Sequence, residues 1–135
     1  MQSFLTPLRT IQTPGGSVKH AMKQTDAGFL GFGEAYISTI ENGAIKGWKK
    51  HTRMTCNLVV VNGLVKFVVQ ESNGNFCEYI IGDSNYARLT IPAGLWFAFS
   101  GVAETDSLVL NISSHPHDPE EAKTQPLEKI SYNWV

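Results

Sequence analysis

Short runs of β-branched and aromatic residues recur along this chain, and turn residues end each of them. Asn62-Gly63 is the clearest turn, because both residues tolerate the positive φ angles of a type I′ hairpin. No window carries a long apolar stripe of 3.6-residue period, so an antiparallel sandwich or barrel is predicted. Its strands are expected at Glu34–Ile40, Ala44–Trp48, Thr55–Val61, Leu64–Gln70, Phe76–Ile81, Ala87–Ile91, Leu95–Ser100 and Ser107–Ile112.

Composition limits the classes of protein and of partner. The 135 residues are 42% hydrophobic, which predicts one domain, residues 1–135, with a buried core. A net charge of −1 argues against a nucleic-acid or anionic-membrane partner. The N-terminus lacks the charged and apolar regions of a signal peptide, and every apolar run is too short to span a bilayer. With Cys56 and Cys77 expected as reduced thiols, a cytoplasmic location is predicted.

Two stretches resemble the motifs of metal-binding cupin barrels in spacing but not in ligands. Residues 43–63 keep the spacing Gly-x5-His-x-His-x4-Glu-x6-Gly, but Lys49 and Cys56 replace the first His and the Glu. In the second motif, Pro-x-Gly-x-x-His, Phe97 replaces the His. His51 alone, even with a thiol, does not satisfy a metal ion that needs three or four ligands. The sequence therefore predicts no bound metal and no other cofactor.

The chain resembles the metal-free cupins that act on nucleotide-linked sugars, the dTDP-4-dehydrorhamnose 3,5-epimerases and the dTDP-sugar 3,4-ketoisomerases. The resemblance implies an all-β, single-domain cupin jelly-roll barrel built from an antiparallel double sheet. It also implies proton transfer next to a sugar ketone. It covers most of the chain and rests on the segments Gly33–Ser38, Ile45–His51, Asn57–Gly63, Leu89–Trp96 and Ile130–Trp134.

The two enzyme groups differ in the residues of the segment Ile45–His51. Epimerases carry Arg-Gly-Leu-His with the His as base, and the resemblance puts Lys49 at that position. Ketoisomerases carry His-x-His, and His51 matches the second His, which is implicated in their proton shuttle. The epimerases' acid, a Tyr, falls near Leu108–Asn111, where this chain has none. The standard epimerase mechanism would therefore need substitutes here.

His51 and Lys49 are the predicted catalytic residues. An imidazole accepts and returns a proton near neutral pH, and the Lys49 ammonium would stabilise a developing enolate. Two alternatives stay open. His51 forms only a hydrogen bond at the mouth of the barrel, or Lys49 is itself the base, which would require a buried, neutral amine.

Six further residues are predicted to bind substrate, and a structural role is the alternative for each. Lys46 and Arg88 are suited to a diphosphate, and Tyr36 to a sugar hydroxyl or a base. Asn57 stands where the epimerases keep a Lys near the reacting carbonyl. Metal binding by the His115–Asp118 segment is disfavoured against a polar surface loop. The set is Tyr36, Lys46, Asn57, Arg88, Trp96 and His117.

The resemblance favours a nucleotide-deoxysugar epimerase or ketoisomerase of bacterial surface-polysaccharide synthesis, with a dTDP-4-keto-6-deoxyhexose as the expected substrate. The alternative is a non-catalytic cupin that binds a sugar or nucleotide sugar, or supports a partner enzyme. The N-terminal segment Phe4–Val18 is expected to exchange with a neighbouring subunit, which predicts a homodimer. Near the C-terminus, Pro119–Ala122 offers at most one helical turn, and the aromatic residues of Ile130–Trp134 are expected to pack back on the body.

Overall fold

The computed structural model describes residues 2–135, and within that range it contains twelve β-strands, one short 3-10 helix and no α-helix. No helix in residues 2–135 therefore has the length and apolarity needed to cross a membrane. The strands are β1 (Phe4–Pro7), β2 (Thr10–Thr13), β3 (Gly16–Lys19), β4 (Glu34–Ile40), β5 (Ile45–His51), β6 (Cys56–Asn62), β7 (Leu64–Gln70), β8 (Phe76–Gly82), β9 (Ala87–Ile91), β10 (Trp96–Gly101), β11 (Ser107–Ser113) and β12 (Ala122–Thr124). The 3-10 helix is Leu127–Lys129.

The strands form two antiparallel five-stranded sheets that enclose a common core. Sheet 1 has the order β1-β9-β6-β11-β4, and sheet 2 has the order β12-β5-β10-β7-β8. Alternate residues point inward, so Leu58 and Leu89 of sheet 1 join Phe67 and Phe97 of sheet 2 in one apolar cluster. This confirms the all-β class and the antiparallel double sheet. The two sheets are separate hydrogen-bonded ladders, so a closed barrel stays a prediction.

All eight strands expected from the sequence are present as β4 to β11, with ends that differ by at most three residues. The hairpin predicted at Asn62-Gly63 is wrong. β6 belongs to sheet 1 and β7 to sheet 2, and only Gly63 of the pair has a positive φ, at 100°. The dipeptide marks a sharp turn, but here the turn carries the chain from one sheet to the other.

The two chain ends add elements beyond these eight strands. β1 pairs with β9 of the same chain, while β2 and β3 form a separate hairpin in which every residue is exposed. Strand exchange by Phe4–Val18 stays a prediction. At Pro119–Ala122, where the sequence offers at most one helical turn, residues 119–121 form a turn, and Ala122 then begins β12, which pairs with β5. Tyr132 and Trp134 pack back on Trp48, as expected.

Candidate functional site

A cavity of about 320 Å³ lies between the two sheets. Four strands, β4, β6, β10 and β11, each supply a pair of residues two apart, because alternate residues of a strand face the same side, and β5 supplies five residues. β12 adds one more residue at the edge of sheet 2. The lining residues are Tyr36, Ser38, Lys46, Gly47, Trp48, Lys49, His51, Cys56, Leu58, Phe97, Phe99, Val109, Asn111 and Thr124.

His51, in the wall of this cavity, forms a buried hydrogen bond with Glu121, which is not itself a lining residue. His51 Nδ1 lies 2.7 Å from Glu121 Oε1, and the side chains are 5% and 1% exposed. β12 brings them together, because Ala122 pairs with His51 in the register between β12 and β5. An ionised carboxylate only accepts hydrogen bonds, so the proton of a neutral His51 ring lies on Nδ1 and the lone pair lies on Nε2.

Glu121 is held as a carboxylate by several donors. Its Oε2 accepts the backbone N–H groups of Arg53 and Met54, at 2.8 and 2.7 Å. Burial alone would raise the pKa of Glu121, but the hydrogen bonds from His51, Met54 and Arg53 outweigh it and lower that pKa to about 2. Glu121 is therefore ionised at neutral pH and can stabilise an imidazolium at His51.

Tyr36 places a neutral phenol in the same cavity. The side-chain amide of Asn111 donates a 3.0 Å hydrogen bond to the Tyr36 oxygen, and the two residues are opposite each other in the β4–β11 register. Burial raises the pKa of Tyr36 above its ordinary value, so its O–H stays protonated at neutral pH. Because the oxygen already accepts from Asn111, the O–H is free to donate to a bound oxygen.

The lining residues carry cations and no carboxylate within the described chain. The ammonium of Lys46 donates a hydrogen bond to the carbonyl of Thr39. Lys49 also lines the cavity, and its side-chain ammonium forms no hydrogen bond or ion pair within residues 2–135. An anionic group or a developing negative charge is therefore favoured in this cavity.

Cys56 and Phe97 stand where a metal-binding cupin keeps ligands. Burial raises the pKa of the Cys56 thiol to about 12, so the sulfur stays protonated and is a poor ligand. Phe97 stacks on His51 with ring centroids 6.3 Å apart. Across residues 2–135, no three His, Cys, Asp or Glu side chains are grouped to hold a metal ion. That the protein works without one stays a prediction.

The structure brings four of the predicted site residues together. Tyr36, Lys46, Lys49 and His51 all line the cavity. They come from two strands, β4 and β5, that belong to opposite sheets. The roles predicted for them require this common location.

The other four predicted residues do not line the cavity. Asn57 faces outward, where it donates to the carbonyl of Gly28 at 3.0 Å and accepts from Thr90 at 2.6 Å. Arg88 is fully buried on the same outer face and donates to the carbonyl of Ala21 at 2.6 Å. Both therefore hold the segment of residues 20–33 against sheet 1.

Trp96 and His117 also lie away from the cavity. Trp96 packs on the outer face of sheet 2 beneath the ammonium of Lys50, 5.1 Å from the ring centroid. His117 is exposed, and its backbone N–H donates to the Glu34 carboxylate at 2.8 Å. As placed here, neither side chain reaches a molecule inside the cavity.

Glu121 and Asn111 are the functional candidates that the sequence did not reveal. Glu121 follows Glu120 in a polar tail, and nothing in that pattern distinguishes it from a surface residue. Only the pairing of β12 with β5 places it on His51. Asn111 lies on β11, the strand on which the epimerases' Tyr acid was expected. The phenol in this cavity comes instead from Tyr36, which lies opposite Asn111 on β4.

Solved structures share this fold. A dTDP sugar isomerase from Desulfovibrio desulfuricans G20 is 30% identical, with a TM-score of 0.91 over 98% of this chain and 90% of that chain. QdtA, a sugar 3,4-ketoisomerase from Thermoanaerobacterium thermosaccharolyticum in complex with TDP, has 16% identity and a TM-score of 0.78, over 96% and 91% of the two chains. ChmJ, a 3′-monoepimerase from Streptomyces bikiniensis in complex with dTDP-quinovose, has 16% identity and a TM-score of 0.83, over 98% and 74%.

These likenesses and the cavity define the class, a cupin-like protein of the dTDP-sugar epimerase and isomerase type. Within that class the chain belongs to the family described as FdtA: WxcM-like, C-terminal, whose sequence profile matches residues 1–126. A comparison with curated proteins gives no significant match.

Proposed function

We propose that the protein is a 3,4-ketoisomerase or an epimerase that moves a proton next to the C4 ketone of a dTDP-4-keto-6-deoxyhexose. The observation that carries this proposal is His51, hydrogen-bonded to the buried Glu121, in the wall of a cationic cavity that also contains a neutral Tyr36 phenol. Membership of the family and the printed activities of the similar structures support it. In this proposal residues 1–135 act as one domain in the cytoplasm, in the synthesis of bacterial surface polysaccharide.

The first step is proton removal by His51. Nε2 takes the proton from the carbon beside the ketone, and the electron pair of the broken C–H bond forms an enolate on the ketone oxygen. The Glu121 carboxylate stabilises the imidazolium through its 2.7 Å hydrogen bond to Nδ1. The Lys49 ammonium and the Tyr36 O–H stabilise the negative charge on oxygen.

The second step returns the proton from Nε2 to carbon. If it returns to C4, the C3 hydroxyl gives up its proton, the C4 oxygen gains one, C3 becomes the carbonyl, and the product is a 3-keto sugar. If a proton reaches the original carbon from the other face, that carbon is inverted. Ketoisomerisation is favoured, because His51 is the only imidazole among the described lining residues and one carrier suffices to move a proton between neighbouring carbons.

The cavity wall also fits a deoxysugar. Leu58, Phe99 and Val109 form an apolar part of the lining. A C6 methyl group placed there would lose no hydrogen bond, whereas a C6 hydroxyl would be buried without a partner at a cost of about 1–3 kcal/mol. This supports a 6-deoxyhexose over its hydroxylated counterpart.

Deuterium exchange tests the proposal. With dTDP-4-keto-6-deoxyglucose in D2O, NMR of the wild type should show deuterium entering the sugar beside the ketone. His51→Asn should slow this at least about 100-fold, as expected for loss of a general base. His115→Asn, which alters an imidazole outside the cavity, should leave the rate unchanged. The structure of the product identifies the reaction: a new ketone at C3 shows ketoisomerisation, and an inverted carbon shows epimerisation. If the wild type shows no deuterium exchange, both reactions are contradicted.

The second candidate is a cupin that binds a nucleotide sugar without turnover. Lys49 at the epimerases' base position and the absence of Tyr from β11 favour it. Calorimetry with a panel of nucleotide sugars separates the two candidates. Tight binding without deuterium exchange would establish the binding protein.

We also propose that two copies form a homodimer through the β2–β3 hairpin. Its residues are all exposed, and Ile11 and Val18, paired across the strands, are 37% and 50% exposed. A hairpin of two strands is marginally stable by itself in water, so contact with a second copy would supply the missing burial.

A further inference from the structure

Trp48 belongs to the cavity lining, but its side chain is completely buried in a cluster with residues of the C-terminal part of the chain. It lies on β5 between Gly47 and Lys49, which line the cavity, and its own side chain is 0% exposed. Its indole N–H donates a 3.1 Å hydrogen bond to the carbonyl of Leu127. β5 therefore contacts the cavity through some of its side chains and the C-terminal segment through others.

β5 is irregular at this point. Lys49 pairs with Phe97 and Lys46 with Phe99, so two residues of β5 stand opposite a single residue of β10. Such a bulge disrupts the ladder and changes the direction of the strand. The backbone of Trp48 instead exchanges two 3.0 Å hydrogen bonds with Gln125. The course of β5 just before His51 thus depends on the C-terminal segment.

Aromatic contacts hold this segment in place. We call Leu127–Val135 the C-terminal latch. The rings of Tyr132 and Trp134 lie 6.5 and 5.9 Å from that of Trp48, and 5.0 Å from each other. The ammonium of Lys66 lies over both, at 5.4 and 5.7 Å. The sequence profile of the family ends at residue 126, so the latch lies beyond the matched region.

The same stretch of chain supplies Glu121. Only the three residues of β12 separate Glu121 from Gln125, and they pair with Lys49–His51. We propose that the C-terminal latch positions the His51–Glu121 pair for proton transfer, with Trp134 as a positioning residue. The catalytic part of this inference rests on the proposed function. The latch holds Gln125 against the bulge of β5. Because β12 lies directly between Gln125 and Glu121 and pairs with β5, it fixes the position of Glu121 relative to His51.

The test compares Trp134→Ala with Trp134→Phe and with Asn133→Ala, a change at an exposed neighbour. In Trp134→Ala, kcat should fall about 10-fold with KM within a factor of two, since a small misplacement of a catalytic group slows the chemical step. Trp134→Phe should restore most of kcat, and Asn133→Ala should match the wild type. All rates are measured well below the unfolding temperature of each variant.

A second readout does not depend on turnover. The Nδ1 proton of His51, donated to Glu121, should give a slowly exchanging downfield NMR signal, assigned by its loss in His51→Asn. Trp134→Ala should make that proton exchange at least about 10-fold faster. If Trp134→Ala does not fold, Trp134→Leu is measured in its place. An unchanged His51 signal in a folded variant would overturn the proposal, whether or not the wild type turns over any sugar. A wild type without turnover overturns only the proposed function.

Discussion

Glu121 belongs to the polar tail in sequence but forms a hydrogen bond with His51 of the cavity wall, and its charge should affect the free energy of unfolding. Its folded-state pKa is about 2, against 4.5 for the free side chain. Between these values the unfolded chain binds more protons than the folded one, so the free energy of unfolding falls as the pH falls. This contribution is complete above about pH 4.5 and is lost toward pH 2.

Glu121→Gln should remove that contribution. At pH 7 we expect it to lower the free energy of unfolding by about 2–3 kcal/mol. The reason is that the buried carboxylate, which accepts hydrogen bonds from His51 and from the backbone N–H groups of Arg53 and Met54, is lost. The difference from the wild type should shrink as the pH falls from 4.5 toward 2. Urea denaturation at several pH values measures it, with the exposed Glu120→Gln as control. A difference that stays constant over this range would contradict the assigned charge.

Tyr132, unlike Glu121, buries a polar group, its hydroxyl, that forms no hydrogen bond within the described residues. Tyr132→Phe should therefore leave the free energy of unfolding unchanged or raise it by about 1 kcal/mol, because an unsatisfied polar group is removed. Tyr79→Phe is the matched control. The Tyr79 hydroxyl bonds to Ser3, so its loss should destabilise by about 1 kcal/mol in the same thermal or urea measurement.

Strand alternation explains which site residues the sequence could predict. Lys49 and His51 are two apart on β5 and both line the cavity, so the motif that contained them predicted their common location, while their catalytic roles stay a prediction. Asn57 lies between Cys56 and Leu58, which face the cavity, so the same alternation turns it outward. Glu121 was beyond prediction, because no local pattern specifies which strand the tail will pair with.

At the level of elements, the sequence predicted where strands occur better than how they are connected. β4, β7 and β9 have the expected bounds, since their β-branched runs and flanking turns are local signals. The Asn62-Gly63 turn is local too, but the sheet that the next strand joins depends on burial against distant residues. The predicted hairpin failed for that reason.

The segment of residues 20–33 covers the outer face of sheet 1 and depends on close packing at Gly28. A Cβ there would lie 2.8 and 2.9 Å from the side chain of Thr90, and φ is +89°. Gly28→Ala should therefore cost about 1 kcal/mol for the backbone conformation and a further 1–3 kcal/mol for the clash. Gly31→Ala, with φ +95° and nothing within 4 Å, should cost only the first amount. Equal losses in urea denaturation would contradict this tight contact.

Over the whole molecule, both sheets bury their inner faces against each other and part of their outer faces under irregular chain. Residues 20–33 cover sheet 1 through Arg88 and Asn57, and the C-terminal latch covers sheet 2 through Trp48. The cavity is thus built by the strands, while the fit of its walls depends on covering segments whose contacts with the sheets no local sequence pattern specifies. This is why the sequence indicated the class of protein better than the complete site.

The β2–β3 hairpin is the part of the molecule that neither sheet covers, and the proposed dimer depends on it. If Ile11 and Val18 are buried by a second copy, changing both to Asp removes apolar burial worth about 1.5–3 kcal/mol each. The dissociation constant of the dimer should rise at least about 100-fold. Sedimentation equilibrium should then show wild type at twice the mass of one chain and the double variant at the mass of one chain. Ile80→Asp, at an apolar residue on β8 that is 47% exposed, is the matched control and should stay dimeric. A wild type that is monomeric at all concentrations would contradict the proposed assembly, because the exposed hairpin would then be stable without a partner.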